Sequence, residues 1–385
     1  MEAFNFYLPT KIVGGRGVVR EKAELFKAYG KRALIVTGKS AAKKSGALDD
    51  VIAALGECGI EYDVFDGMGA NPLISSCAEG GALAKAKGSD FVIGIGGGSA
   101  LDGARAVCVY AANDFADPRD VYKLKFTKAL PLITVGTTAG TGSEVDAVSV
   151  VTDDETGLKK SFSKPFMFAK IAFCDATYTK SMSLRQTVST GLDALCHCLE
   201  SWFSQNSSET SRLFSRRGVE LVYPRLAQIA SGSYDLDDDE LREDLYHGSV
   251  WGGFALAGAG AGFPHPAGYP LTEAGVLPHG VACAVFEKVF ILHALEHSPA
   301  EWRRQLLGIT GGEQPLCDTL DTLAAHNITA SREMSELIIT RTAANKNTKR
   351  ALGAFTEQDC RVMVEELFLD AKQTEPYAGG WLFGE

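Results

Sequence analysis

The feature that most constrains the fold of this chain is an apolar segment that ends directly in a run of glycines. Residues 90–95 are mostly apolar, residues 96–99 read Gly-Gly-Gly-Ser, and residues 100–111 follow a helical pattern. Short apolar runs of this kind are typical of strands buried on both faces in a parallel sheet. Strands alternating with helices therefore predict an α/β domain, with a mostly parallel sheet and helices on both faces. Further strands are predicted over residues 4–13, 31–37, 61–65 and 130–135.

The second half of the chain has a different pattern, which predicts long helices. Ser183 and Gln186 stand at the spacing of a capping box, which marks the start of a helix. Helical periods then cover most of residues 187–307. We therefore expect two domains, an α/β domain over residues 1–180 and an all-helical domain over residues 181–385.

Composition and charge exclude several classes of function. A net charge of −10 argues against nucleic acid as a partner. No apolar run is long enough to cross a membrane, and the first residues lack the basic and apolar regions of a signal peptide. Nine scattered cysteines without an export signal predict thiols in a reducing compartment. We therefore expect a cytoplasmic protein that acts on a small molecule.

The glycine run opens a helix at the carboxyl end of a strand, which is where open α/β sheets bind ligands. Gly97 and Gly98 let the backbone approach a phosphate closely, and the helix N-terminus offers N–H groups and a positive dipole end. Ser99 adds a hydroxyl donor. Asp102 lies in the first helical turn and is expected to orient the ligand or a neighbouring turn. The alternative interpretation is a tight turn that binds no ligand.

A second turn strengthens the case for a nucleotide. Residues 137–143 follow another predicted strand and combine two glycines with four hydroxyl side chains, Thr137, Thr138, Thr141 and Ser143. Two such turns in one sheet favour a nucleotide diphosphate as their common ligand. The usual Gly-x-Gly-x-x-Gly fingerprint does not follow the first strand, so the generic motif alone would not have found this site.

A third turn bears on which nicotinamide cofactor binds. Gly38, Lys39 and Ser40 follow the strand over residues 31–37. An acidic residue at such a turn accepts hydrogen bonds from the ribose 2′-hydroxyl and repels a 2′-phosphate. This turn carries a positive charge and a hydroxyl instead, which favours NADP(H) and leaves NAD(H) possible. The alternative is that these lysines are ordinary surface charges.

Four residues of the second half have the chemistry of a metal site. Asp193 and His197 are four residues apart, which places them on one face of a helix. His265 and His279 follow in a segment rich in glycine and proline. One carboxylate oxygen and three imidazole nitrogens suit a divalent first-row metal such as Fe²⁺, Zn²⁺ or Co²⁺. For the first pair alone, a solvated contact on a helix surface is the alternative.

Taken together, these segments resemble the iron-containing (group III) alcohol dehydrogenases. The resemblance implies an α/β N-terminal dinucleotide-binding domain and an all-α C-terminal metal-binding domain, the dehydroquinate synthase-like fold, with the active site between them. It implies that the turn over residues 97–99 binds pyrophosphate and that Thr138 and Thr141 lie along the cofactor. It also implies that a divalent metal, commonly Fe²⁺, is held by Asp193, His197, His265 and His279. The matching segments are residues 6–11, 96–102, 137–144, 191–197 together with Glu200, and 268–271 leading to 278–280.

Several positions depart from the family pattern. Arg105 stands where a lysine is usual, and Tyr269 stands where many members have a second histidine. That histidine is a candidate proton carrier, so Tyr269 is the candidate catalytic residue here. Pro264 and Pro266 flank His265, where the family commonly has an unbroken helix. The prolines imply a different local backbone or a helix that starts at this point.

The resemblance implies a metal-dependent alcohol dehydrogenase or aldehyde reductase, which transfers hydride between NADP(H) or NAD(H) and a short-chain alcohol or aldehyde. Two alternatives remain at this point. One is a metal-dependent lyase or cyclase of the dehydroquinate synthase type, and the other is a non-catalytic nucleotide-binding relative. Many members of the family assemble, so a homodimer or larger homo-oligomer is expected.

Overall fold

The computed structural model describes residues 4–324 and 330–368. These residues divide by their internal contacts into two compact units. Residues 8–181 and 237–246 form the sheet unit. Residues 182–236 and the described chain from residue 247 onward form the helical unit, which also includes the first described residues before residue 8.

The sheet unit is built on six parallel strands. The strands are β1 (Lys11–Gly14), β2 (Arg32–Thr37), β3 (Glu61–Phe65), β4 (Phe91–Gly96), β5 (Leu132–Gly136) and β8 (Ile171–Cys174). Their order in the sheet is β1-β8-β5-β4-β2-β3, so the predicted parallel sheet is confirmed. Two further strands, β6 (Val148–Thr152) and β7 (Lys159–Ser163), form a separate antiparallel pair.

Helices cover both faces of this sheet, because its central strands bury side chains on both sides. Ile93 of β4 packs in a core cluster with Val51, whereas its neighbour Val92 packs in a second cluster with Val107. Successive residues of a strand point to opposite faces, so a strand buried on both faces is apolar at every position. The helices of this unit are α1 (Val18–Glu21), α2 (Ala41–Lys44), α3 (Ala47–Cys58), α4 (Ile74–Lys87) and α5 (Gly98–Ala112).

The first strand is shorter than its sequence pattern predicts. The alternation over residues 4–13 predicts a strand of that length, but β1 covers only Lys11–Gly14. β1 lies at the edge of the sheet and pairs with β8 alone. That partner has four residues, Ile171–Cys174, and each of them already faces one residue of β1. The prediction of a strand over residues 4–10 is therefore wrong, because in the described chain the pairing of β1 with β8 begins at Lys11 and Ile171.

The helical unit follows the predicted pattern of long helices. No helix among residues 4–324 and 330–368 combines the length and the apolar character that crossing a membrane requires. The helices are α6 (Leu184–Trp202), α7 (Glu209–Ala230), α8 (Asp239–Ala259, which begins within the sheet unit), α9 (Pro264–Glu273), α10 (His279–His297), α11 (Ala300–Thr310), α12 (Glu313–Leu323), α13 (Arg332–Ala344) and α14 (Glu357–Phe368).

Two helix starts in this unit can be traced to particular residues. The predicted capping box of α6 is present: Ser183 Oγ accepts a hydrogen bond from the Gln186 N–H at 3.3 Å, and Gln186 Oε1 accepts one from the Ser183 N–H at 3.1 Å. Pro264 is the first residue of α9. Proline is tolerated there, because its missing N–H would have no partner within the helix. The prolines implied either a different local backbone or a helix that starts at this point, and the structure shows a helix that starts there.

Candidate functional site

Three helices of the helical unit bring the predicted metal ligands together. α6 carries Asp193 and His197, α9 carries His265, and α10 begins at His279. Glycine allows α10 to approach both neighbours, since a Cβ at Gly280 would overlap the carbonyl oxygen of Ser189 on α6. A Cβ at Gly268 on α9 would lie 2.8 Å from the backbone of α10. The close packing of these helices is therefore what positions the four side chains.

Asp193 Oδ1 is the common neighbour of the three predicted histidine ligands. Asp193 Oδ1 lies 3.7 Å from Nε2 of His197, 3.5 Å from Nε2 of His265 and 3.8 Å from Nε2 of His279. The Nε2 atoms of His197 and His265 are 2.8 Å apart. Two donors held at about 2.0–2.2 Å by one metal ion lie at most about 4.4 Å apart, so these distances fit a shared ion.

Burial and charge at this cluster also suit a cation. Asp193 Oδ1 is buried and makes no hydrogen bond within the described residues. Burial opposes ionisation of Asp193, but the three histidines outweigh it and hold its pKa well below the usual range. Burial opposes charge on His265, but the carboxylates of Glu200 and Asp193 outweigh it and raise its pKa to about 10. The cluster therefore stabilises positive charge. Its mixed oxygen and nitrogen donors fit a divalent metal such as Fe²⁺, Zn²⁺ or Co²⁺.

A fifth side chain, Glu200, fixes the orientation of His265. Glu200 Oε1 lies 2.6 Å from His265 Nδ1, and Glu200 Oε2 accepts a hydrogen bond from the Gly262 N–H at 2.6 Å. With its Nδ1–H donated to Glu200, His265 points Nε2 toward the Asp193 carboxylate, where the Nε2 lone pair would serve a bound metal. Glu200 is among the residues that resemble the family, but its role could not be predicted from the sequence. The available signal was its spacing, seven residues after Asp193 on one helix face.

Replacing Glu200 with glutamine should weaken metal binding about 10–100-fold, because the carboxylate that orients and polarises His265 is lost. The measurement is a competition titration of the metal-free protein with Zn²⁺ and a chelator of known affinity. Glu209→Gln is the matched control, since Glu209 is an exposed glutamate at the start of α7. Equal affinity in the Glu200→Gln variant and the control would show that Glu200 does not support the metal site.

The candidate catalytic residue Tyr269 lies beside the same cluster. It is one helical turn after His265 on α9 and is half-buried. Its ring stacks on the His279 imidazole with ring centroids 5.8 Å apart and an interplanar angle of 20°. Burial raises the pKa of Tyr269 above its usual value. The phenol is therefore protonated at neutral pH, in the state of a proton donor.

In the sheet unit, the two glycine-rich turns lie against each other. They follow β4 and β5, which are adjacent strands. A Cβ at Gly97 would lie 2.8 Å from Thr138 Oγ1, and one at Gly98 would lie 2.6 Å from Thr141 Cγ2. The sequence prediction that both turns belong to one place therefore agrees with their contacts. Gly98 is also the first residue of α5, so the pair of turns includes a helix N-terminus.

The hydrogen bonds of Asp102 join these turns. Asp102 Oδ1 accepts a hydrogen bond from Ser143 Oγ at 2.6 Å, and Oδ2 accepts one from the Val150 N–H at 3.0 Å. Arg105 is almost fully buried and donates to Asp102 Oδ1 and to the Val148 carbonyl. Asp102 was expected to orient either the ligand or a neighbouring turn, and these contacts favour the neighbouring turn. Cofactor contact by Asp102 and Ser143 stays a prediction.

The remaining predicted cofactor residues lie at the same edge of the sheet. Gly38, Lys39 and Ser40 directly follow β2, which is the neighbour of β4. Lys39 and Ser40 are exposed. Ser99, on the first turn of α5, accepts a hydrogen bond from the Asn71 N–H at 3.2 Å. The carboxyl ends of parallel strands meet at one edge, and ligands of open α/β sheets bind there.

Comparison with known proteins identifies the family of this fold. Residues 9–176 match the family model described as iron-containing alcohol dehydrogenase, and residues 187–360 match the model of the C-terminal region of the Fe-containing alcohol dehydrogenase family. A crystal structure of an iron-containing alcohol dehydrogenase from Thermotoga maritima is similar, with a TM-score of 0.86 and 31% identity, over 95% of this chain and 99% of that one.

Two curated relatives differ in the cofactor that their names state. The probable NADH-dependent butanol dehydrogenase 1 of Bacillus subtilis is 31% identical over 79% of this chain and 79% of its own. The NADPH-dependent butanol dehydrogenase of Clostridium saccharobutylicum is 29% identical over 73% of this chain and 71% of its own. The predicted fold class, resemblance and oxidoreductase function are confirmed, and the lyase alternative is not favoured. The chain therefore belongs to the iron-containing alcohol dehydrogenases, a family of metal-dependent, nicotinamide-linked oxidoreductases.

Proposed function

We propose that this protein interconverts short-chain aldehydes and alcohols, with a divalent metal held by Asp193, His197, His265 and His279 and a nicotinamide cofactor held by the glycine-rich turns. The convergence of three Nε2 atoms on Asp193 Oδ1, at 3.5–3.8 Å, is the observation that carries the proposal. The butanol dehydrogenases among its relatives support a short aliphatic substrate.

Each group in the proposed site has its own chemical role. When bound, the metal would supply Lewis-acid polarisation and the nicotinamide would supply or accept hydride. Glu200 keeps His265 in the orientation and tautomer that a ligand needs, through the contact at Nδ1. The turns at Gly97 and Gly98 offer backbone N–H groups and the N-terminus of α5 to the pyrophosphate. Thr138 and Thr141 border the same turns.

We expect Tyr269→Phe to lower kcat about 10²-fold, because a positioned proton donor contributes that order of rate and phenylalanine has none. Metal content and the KM for cofactor should stay unchanged. Tyr269→His, which introduces the imidazole common in the family, should recover much of the lost rate. Steady-state kinetics in H₂O and D₂O test this, since the solvent isotope effect reports proton transfer. Full activity in Tyr269→Phe would move the proton route to water or to the cofactor ribose.

For the cofactor, the proposal is NADP(H). Lys39 and Ser40 are exposed at the carboxyl end of β2, where a 2′-phosphate would meet a positive charge and a hydroxyl. Lys39→Ala should reduce the ratio of kcat/KM for NADPH to that for NADH about fivefold, as an exposed charge pair contributes at most about 1 kcal/mol. Lys31→Ala is the control, because Lys31 is an exposed lysine at the opposite end of the same strand. A wild-type preference for NADH would overturn the assignment.

Metal content and turnover measured together test the proposed function. The protein is purified anaerobically, bound iron, zinc, cobalt and manganese are quantified, and nicotinamide absorbance is followed with NADPH, NADH and a panel of short aldehydes that includes butanal. We expect one metal per chain and aldehyde-dependent loss of NADPH, which a chelator removes and Fe²⁺ restores. Bound metal and cofactor without net cofactor oxidation would favour the lyase alternative. Nucleotide binding without metal or turnover would favour the non-catalytic one.

Two further predictions concern assembly and location. We propose a homodimer or larger homo-oligomer, as is common in the family, and a cytoplasmic location. Both stay predictions of the sequence. Light scattering of the purified protein measures the first.

A further inference from the structure

The metal cluster contains one donor that the four predicted ligands do not include. Cys283 lies one helical turn after His279 on α10, so the two side chains share a face of the helix. Cys283 Sγ lies 3.8 Å from His279 Nδ1 and 4.0 Å from Nε2. The side chain is buried, and Cys283 takes part in no disulfide.

The position of this thiol fits an ion shared with Asp193, His265 and His279, whereas His197 is not a member of that group. Asp193, His265, His279 and Cys283 each offer one atom to a group in which all atoms lie within 4.8 Å of one another. A thiolate held at about 2.3 Å and an imidazole held at about 2.1 Å by one ion lie at most about 4.4 Å apart. The distance from Cys283 Sγ to His279 Nε2 is inside that limit. A second observation points to the same place, since the buried Asp193 Oδ1 makes no hydrogen bond among the described residues.

We propose that Cys283 supplies a thiolate ligand to the metal centre of this protein, beside its carboxylate and imidazole donors. The proposal rests on the metal centre of the proposed function and adds sulfur to it. Binding forms a metal–sulfur bond, and the thiol proton passes to solvent. A thiolate is a softer ligand than any of the four predicted ones, so the centre favours Zn²⁺ and Co²⁺ over the harder Mn²⁺ and Mg²⁺.

Cobalt substitution tests this proposal directly, because Co²⁺ bound by thiolate has a strong near-ultraviolet charge-transfer absorption that Co²⁺ bound only by oxygen and nitrogen lacks. The metal-free full-length protein is titrated with Co²⁺ alone, and the visible ligand-field bands report binding in the same spectrum. We expect both features in the wild type. Cys283→Ala and Cys283→Ser should keep the ligand-field bands, lose the charge-transfer band and bind Co²⁺ at least about tenfold more weakly.

Cys317→Ala is the matched control, since Cys317 is a buried thiol on α12 outside the cluster, and it should leave the spectrum unchanged. A wild-type protein that binds Co²⁺ with ligand-field bands but without charge transfer overturns the role of Cys283 and leaves the metal centre standing. Charge transfer that survives in Cys283→Ala overturns it as well. A protein that binds no Co²⁺ overturns the metal centre itself, and Cys283 with it.

Discussion

Replacing His279 with alanine is expected to abolish metal retention and to lower turnover about 10³-fold or more, because Lewis-acid stabilisation by a metal contributes several kcal/mol to catalysis. His279 is the first residue of α10 and the most exposed of the four ligands, with a side chain 32% exposed. Its truncation therefore leaves little cavity in the core and should spare the fold. Metal content by elemental analysis and kcat by nicotinamide absorbance measure the two losses.

The control for this variant is His297→Ala, which removes an exposed histidine from the last turn of the same helix. It should retain full metal content and rate. Circular dichroism and thermal unfolding of both variants separate loss of the ligand from loss of the fold. Near-normal activity in His279→Ala would contradict the metal assignment, since the other three donors alone would then be sufficient for the chemistry.

The residues of this metal cluster differ in how far the sequence alone could identify them. Asp193 and His197 share one helix, so their spacing predicts that they lie together. His265 and His279 come from two other helices, so donor chemistry and the family resemblance, rather than spacing, linked them to the first pair. Their approach depends on the packing of α6, α9 and α10 at Gly268 and Gly280, which no local pattern in the sequence encodes.

Glu200 and Cys283 could not be identified from the sequence, because both act through contacts between helices. Glu200 acts through His265, which is 65 positions away in the chain. Cys283 shares a helix face with His279, but the chain holds nine cysteines, and seven besides Cys283 are also buried. The spacing pattern that identifies a ligand pair within one helix gives no information about contacts between helices. A buried thiol therefore has the same sequence pattern whether it packs in the core or faces a metal.

The sheet unit was predicted more completely, because its pattern is local. The strands β2, β4 and β5 were predicted from continuous apolar runs, which a strand buried on both faces requires. The edge strand β1 was predicted too long, since the length of an edge strand depends on a partner that is distant in sequence. The contacts of Asp102 with Ser143 and Val150 were likewise not predicted, because they join α5 to residues 41 and 48 positions later.

Gly98→Ala is expected to weaken cofactor binding about 10–100-fold while leaving metal content unchanged, because overpacking at a tight contact costs about 1–3 kcal/mol. The new Cβ would lie 2.6 Å from Thr141 Cγ2 and 3.0 Å from Thr141 Oγ1, so one of the two turns must shift. Both turns are proposed to hold the pyrophosphate, and a shift of either separates its donors from the ligand. Fluorescence or calorimetric titration with NADPH measures the loss.

Two comparisons separate this steric cause from a general effect of alanine in a helix. Gly56→Ala in α3 adds a Cβ that meets no atom within 4 Å, so cofactor affinity should stay at the wild-type value. Thr141→Ala removes Cγ2, which is the atom that the new Cβ would meet. In the Gly98→Ala background, Thr141→Ala should therefore recover part of the lost affinity for NADPH. The coupling energy between the two substitutions would then be opposite in sign to the loss that each causes alone. If the double variant binds NADPH no better than Gly98→Ala alone, the clash with Thr141 is not the cause. The pairing of the two turns would then have no role in holding the cofactor.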